Sequence, residues 1–343
     1  MQITQVPGRR RLPGKARIAG LAAAGLAVVS VAACSSGSSS TTSTGASADN
    51  ATAPKNIVIG SMIWNTSVPF YANMIKGEEA AAAKLGATIK IVSGNGDMST
   101  EVSDIQQFVT EKVSAILVTS SSPTGIVPAI GLANQAGIPV IAVNNAVGTG
   151  AKVVTYVGSS DYMYGQQQAR LLVKAIGTHG NIGYVLGELG TSAELDRKAG
   201  FMSVLKNYPG IHIVASQTAN WDNSQALSVV QDWLSKYPKG SLNAIVDQGP
   251  EGDTPASYAA TNGRSEIKFI VGDYPTTVRT EILQKQIYGT VDQNPYPQGY
   301  LGVEYAVWDL DGKANSIPKP DAYQPLPIVT AANAASTSAA YKG

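Results

Sequence analysis

From residue 56 onward, short apolar runs alternate with helix-like stretches, and the series occurs twice along the chain. In the first series the pattern predicts strands over 57–62, 88–92, 115–119 and 139–143, with helices over 70–85, 101–112 and 123–136. Pro69 sits in the first turn of one helix, and Gly86 and Gly137 stop two of them. The second series predicts strands over 181–186, 211–216, 243–247 and 268–271, with helices over 192–207, 224–237, 254–262 and 276–286. Strands that are apolar almost throughout must be covered on both faces, which means parallel sheets flanked by helices. Two such series mean an α/β protein of two doubly wound parallel-sheet domains. Ligands of open α/β sheets sit beyond the carboxyl ends of the strands, so two domains face to face would meet at a cleft.

The first 55 residues read differently. Arg9, Arg10, Arg11, Lys15 and Arg17 precede an apolar run over 18–31 that is short for a bilayer span. Val31-Ala32-Ala33-Cys34 follows, and Cys34 is the only cysteine in the chain. This resembles a bacterial lipobox, which implies a signal peptide over 1–33, lipidation at Cys34 and anchoring to the extracytoplasmic face of the cell membrane. Residues 35–55 are rich in Ser, Thr, Ala and Gly and have no apolar period, so they read as a flexible tether of about 25 Å root-mean-square reach. Loss of residues 1–33 would leave 20 basic residues against 24 acidic. A mildly acidic chain is a poor partner for nucleic acid. A lone cysteine excludes a disulfide framework, so the folded part must rest on its hydrophobic core.

Polar and aromatic residues gather at the predicted strand ends. They are Asn65 to Tyr71, Asn144-Asn145, Gly187 to Arg197, Asn220-Trp221-Asp222, Asp247-Gln248, Gly272-Asp273-Tyr274 and Val291-Asp292-Gln293. Amides and carboxylates pair well with hydroxyls that both donate and accept. Flat aromatic walls suit the apolar faces of a sugar ring. The set therefore suits a neutral polyhydroxylated ligand. Asp222 is also placed to cap the helix that follows it, and Gly94-Asn95-Gly96 reads as a turn rather than a phosphate loop. The sequence shows no Ser/His/Asp arrangement, metal-ligand cluster or P-loop, and no metal or cofactor is expected. An enzyme would have to use Asp247, Glu251 or Asp273.

From about residue 56 to 328 the chain resembles the ribose-binding branch of the periplasmic sugar-binding proteins. The resemblance is carried by Pro69-Phe70-Tyr71 with its helix ending Lys84-Leu85-Gly86, and by A-N-Q-A-G-I-P-V-I over 133–141. It continues with G-T-S-A over 190–193, A-N-W-D over 219–222 and V-D-Q-N-P-Y-P-Q-G-Y-L-G over 291–302. It implies a type I periplasmic binding fold whose lobes are joined by a three-strand hinge. The lobes would be 56–159 with 294–320 and 160–293 with 321–332, followed by a tail over 333–343. By motif position, Phe70, Tyr71 and Trp221 would wall the sugar, and Asn144, Asn145, Asp273 and Gln293 would bond it, with Asp247 at its strand end as a further expected contact. Arg197 would either touch ligand or support the site. The chain departs from the ribose pattern at Val68, Leu195 and the turn 247–251, which argues against ribose itself. The expected function is capture of a monosaccharide or polyol by a monomeric lipoprotein that delivers it to an ABC permease. Two alternatives stand beside it: a lipoprotein of the same fold that presents a sugar or furanone-like signal to a receptor, and a glycoside-active enzyme. A non-enzymatic protein is the expectation.

Overall fold

In the computed structural model, residues 56–342 are described. The signal peptide, Cys34 and the tether expected over 1–55 lie outside the described residues.

The central apolar runs form strands buried on both faces, and the edge strands at 88–93 and 210–218 are partly exposed. The first half contains β1 (Val58–Ile63), β2 (Thr88–Ser93), β3 (Ala115–Thr119), β4 (Val140–Val143) and β5 (Tyr156–Gly158). The second contains β6 (His179–Leu186), β7 (Gly210–Thr218), β8 (Ala244–Asp247), β9 (Lys268–Gly272) and β10 (Ile287–Val291), and two short strands follow, β11 (Asp321–Tyr323) and β12 (Ile328–Thr330). They make two six-stranded sheets, ordered β11-β5-β4-β3-β1-β2 and β12-β10-β9-β8-β6-β7. All neighbours are parallel except β12, which runs antiparallel to β10. Both sheets follow one winding scheme and reverse strand order at their first strand, so the crevice beyond the strand ends lies there in each.

The helices cover both faces of each sheet. They are α1 (Pro69–Leu85), α2 (Met98–Glu111), α3 (Val127–Gln135), α4 (Asp161–Ile176), α5 (Ser192–Leu205), α6 (Asn223–Lys236), α7 (Asp253–Thr261), α8 (Thr276–Leu283) and α9 (Pro295–Leu310). Four apolar clusters form, one on each face of each sheet. Helix α1 packs on α9 in the first lobe, and α4 on α5 in the second. Asp97 caps α2, which starts three residues upstream of the predicted 101, and its carboxylate accepts from Thr100 N at 2.7 Å.

The backbone passes between the sheets three times: after β5, after β10 and between β11 and β12. The lobe boundary read at 320/321 falls later in the structure. Strand β11 pairs with β5 in the first sheet, and only β12 belongs to the second. The stretch read as a tail is packed rather than loose. Ala334 is fully buried, and Tyr341 bridges to Pro275 beside α8.

Candidate functional site

A cavity of about 320 Å³ opens between the two lobes at the carboxyl ends of the strands. Phe70 and Tyr71 reach it from the first turn of α1, where Pro69 at the helix start directs the chain. Their rings meet edge to face at 5.4 Å, and Trp64, just past β1, lies 5.9 Å from Tyr71. Trp221 comes from the other lobe and packs against this aromatic cluster. Asn144, Trp221 and Asp273 each follow a strand end with φ of 62°, 60° and 53°, left-handed values that tryptophan rarely adopts. These kinks turn the side chains into the cavity. Asp222, next to Trp221, caps α6 by accepting from Gln225 N at 2.8 Å.

Several polar groups are held in place before any ligand arrives. Tyr71 Oη donates to Asn144 Oδ1 at 3.3 Å, and Asn144 Nδ2 donates to Gln298 Oε1 at 3.0 Å. Asn145 Nδ2 donates to the Ser120 carbonyl at 2.8 Å. Arg197 is buried, with Nε 2.8 Å from Asp161 Oδ1 and a terminal nitrogen 2.7 Å from the Gln248 carbonyl. Its guanidinium stacks 3.8 Å from the Tyr164 ring and lies 5.5 Å from that of Trp221. Arg197 thus lines the cavity and also locks the second lobe. Asp273 Oδ1 accepts from Tyr164 Oη at 2.9 Å, and Oδ2 from Tyr341 Oη at 3.2 Å. Burial raises the Asp273 pKa, against the pull of Arg197 and of the hydroxyl and Gln293 bonds.

Eight of the nine expected contact residues line the cavity: Phe70, Tyr71, Asn144, Asn145, Arg197, Trp221, Asp273 and Gln293. Asp247 does not. It is fully buried behind the lining, where Oδ1 accepts from Gly249 N at 3.1 Å. In its place the turn after β8 presents Glu251, whose burial pushes its pKa up to about 7. Trp64 and Tyr341 are lining residues that the motifs did not single out. Trp64 could have been found by the strand-end rule, one residue beyond β1. Tyr341 could not, because it reaches the site only through the packing of the carboxyl-terminal segment. Phe70 and Tyr341 meet edge to face at 5.7 Å, and Asn73 Nδ2 donates to the Ala340 carbonyl at 3.2 Å. The lobes also touch at the rim, where Ala146 N donates to Ser192 Oγ at 2.9 Å. Among the described residues no His/Cys/Asp/Glu group is arranged to hold a metal ion, and no helix is long and apolar enough to cross a membrane.

The chain is similar to the ribose import binding protein of Bacillus subtilis (strain 168), with 27% identity over 268 residues, or 78% of this chain and 86% of that one. It is 28% identical over 242 residues to the xylitol-binding protein of Mycolicibacterium smegmatis, covering 70% of this chain and 68% of the other. An ABC transporter solute-binding protein from Agrobacterium vitis, solved with α-D-tagatopyranose, superposes with a TM-score of 0.74 at 27% identity, covering 81% of this chain and 96% of that one. One from Actinobacillus succinogenes 130z, solved with D-allose, gives 0.75 at 25% identity, with 82% and 100% covered. The family profile described as periplasmic binding protein domain matches residues 59–314, which spans both sheets and their interlobe cavity. With its two like-wound lobes, three crossings and shared cleft, the chain belongs to the periplasmic binding protein family, in its type I fold.

Proposed function

We propose that this protein is the solute-binding component of an ABC importer, capturing a monosaccharide or polyol in the interlobe cleft and delivering it to a membrane permease. The observation that carries this reading is the cleft itself. Aromatic rings from both lobes face a small cavity, and fixed amides and carboxylates stand at the strand ends around it. Such a site recognises a compact polyhydroxylated molecule by its apolar faces and its hydroxyls together. Relatives named for ribose and xylitol, and like-folded proteins solved with D-allose and α-D-tagatopyranose, support the same ligand class. Phe70, Tyr71 and Trp221 would wall the ligand, and Asn144, Asn145, Asp273 and Gln293 would bond its hydroxyls. Arg197 would contribute mainly by holding Trp221 and the second lobe in place.

A thermal-shift screen of monosaccharides and polyols tests the reading. A ligand at 100 times its dissociation constant stabilises the folded protein by about 2.7 kcal/mol. A rise in melting temperature with one compound or a narrow group is expected, and a flat screen would count against a sugar or polyol site. The reading includes lipidation at Cys34 and an extracytoplasmic, membrane-tethered monomer. Replacing Cys34 with Ser should move the protein from the membrane to the soluble fraction on cell fractionation. Unchanged retention on the membrane would remove the anchor.

A further inference from the structure

One acidic group in the cleft wall stands without a donor. Glu251 lies in the short turn Pro250–Gly252 after β8, is 1% exposed and lines the cavity, yet neither of its carboxylate oxygens receives a hydrogen bond. The neighbouring polar groups are already engaged: Asn144 with Tyr71 and Gln298, Arg197 with Asp161 and Gln248, Asp273 with Tyr164 and Tyr341. A buried polar group left unanswered is costly, more so if it is charged. The cleft therefore lacks a donor opposite Glu251.

The balance of charge says what kind of donor fits. Glu251, Asp253 and Asp273 all line the cavity, and Asp247 stands directly behind Glu251, with its Oδ2 also unpartnered. Asp247 and Glu251 bond each other only through a shared proton, and in that state the pair carries a single negative charge. Against these carboxylates the lining residues offer one cation, Arg197, and Asp161 already neutralises it. A hydroxyl could give Glu251 one bond but would leave the surplus charge. An ammonium group gives several donors and cancels charge.

We propose that the cleft takes a sugar or polyol bearing a protonated primary amine, with Glu251 receiving the ammonium. This rests on the sugar-or-polyol reading above and narrows it. Phe70, Tyr71 and Trp221 would still hold the carbon skeleton, so Glu251 sets specificity by charge rather than by shape.

The test is calorimetry near neutral pH with matched pairs: D-glucosamine against D-glucose, D-galactosamine against D-galactose, and 1-amino-1-deoxy-D-sorbitol against sorbitol. N-acetyl-D-glucosamine serves as an uncharged nitrogen control. Charge-assisted bonds are roughly twice as strong as neutral ones, so in at least one pair the amine should bind about tenfold tighter than its parent or more. The N-acetyl compound should show no such gain. In Glu251→Gln the preference should fall towards parity, with the thermal melt of the variant as the check that it folds. The wild-type comparison decides even if the variant does not fold. Binding of neutral members as tight as their amines, or an amine preference that survives in Glu251→Gln, would overturn the inference and leave the sugar reading standing. Binding of no member of any pair would remove the inference, and a flat thermal-shift screen as well would remove the sugar reading with it.

Discussion

Trp221 and Asp273 share an unusual constraint. Each is a non-glycine residue in the left-handed region, where an L side chain costs of order 1 kcal/mol or more, and each aims into the cleft. The strain is tolerated because neighbours hold both residues firmly. Gly187 lies so close under the Trp221 ring that a Cβ there would overlap it, and Tyr164 brackets Asp273 through both its backbone N and its carboxylate. Ring and carboxylate are thus set in position before binding, which lowers the ordering cost that a ligand must offset. Trp221→Ala removes apolar burial worth a kcal/mol or more, and Asp273→Asn removes a charged acceptor worth roughly 1.5–3 kcal/mol while keeping a residue that tolerates the left-handed turn. Each variant should bind a confirmed ligand at least about tenfold more weakly by calorimetry, with near-parental melting of the free protein. Near-parental affinity in both would place the site elsewhere.

Between elements, glycines decide how closely helices approach. Gly77 and Gly299 face the carbonyls of Tyr296 and Met74 where α1 meets α9, and a Cβ at either would overlap its carbonyl. Gly165 and Gly200 do the same where α4 meets α5, against Arg197 and Tyr162. Each lobe thus has one helix pair in backbone contact. Gly77→Ala should destabilise the fold by about 1–3 kcal/mol in urea titration, as overpacking does, and parental stability would mean that the helices separate easily. The first pair also buries Glu78, which accepts from Ser61 Oγ at 3.1 Å and whose pKa burial pushes up from 4.5 to about 8. Such a group holds its proton more tightly when folded. Its contribution is intact below about 4.5 and is lost as pH rises towards about 8. Glu251 and Asp292, each pushed up to about 7 by burial, act in the same direction. Glu78→Gln should flatten the fall in unfolding free energy between pH 5 and 8, gaining roughly a few kcal/mol on the parent at the upper end. Parallel pH profiles for variant and parent would show that Glu78 does not drive the slope. The same glycines explain why α4 and α9 were not legible in the sequence. The stretch from Pro295 to Gly302 holds two prolines and two glycines, which read locally as a loop, and only the neighbouring helix makes small residues an advantage. The buried strands, the α1 start at Pro69 and the Asp222 cap were legible because apolar runs and capping residues act locally. Strand β11 was placed in the wrong lobe because three residues take their sheet only from their partner. Most of the cleft followed from the rule that polar groups at parallel strand ends converge. Whether Asp247 or Glu251 faces the cavity depends on the turn geometry after β8, which the rule does not reach.

For the whole molecule, the cleft lining is divided between two lobes that are joined by three crossings. A ligand that touches both lobes favours the closed form by the difference between its affinities for the two forms. Small-angle scattering should therefore show a smaller radius of gyration at saturation with a confirmed ligand. An unchanged value would count against hinge closure. The carboxyl-terminal segment belongs to this motion as well. Tyr341 packs into the apolar cluster of the first lobe and bonds Asp273 of the second, and Ala340 holds both Asn73 and Tyr274 through its backbone. A group attached at Lys342, next to Tyr341, would therefore sit beside the ligand cleft. A bulky label there would risk altering affinity, whereas a small environment-sensitive dye would report ligand uptake directly, making Lys342 a natural port for a biosensor.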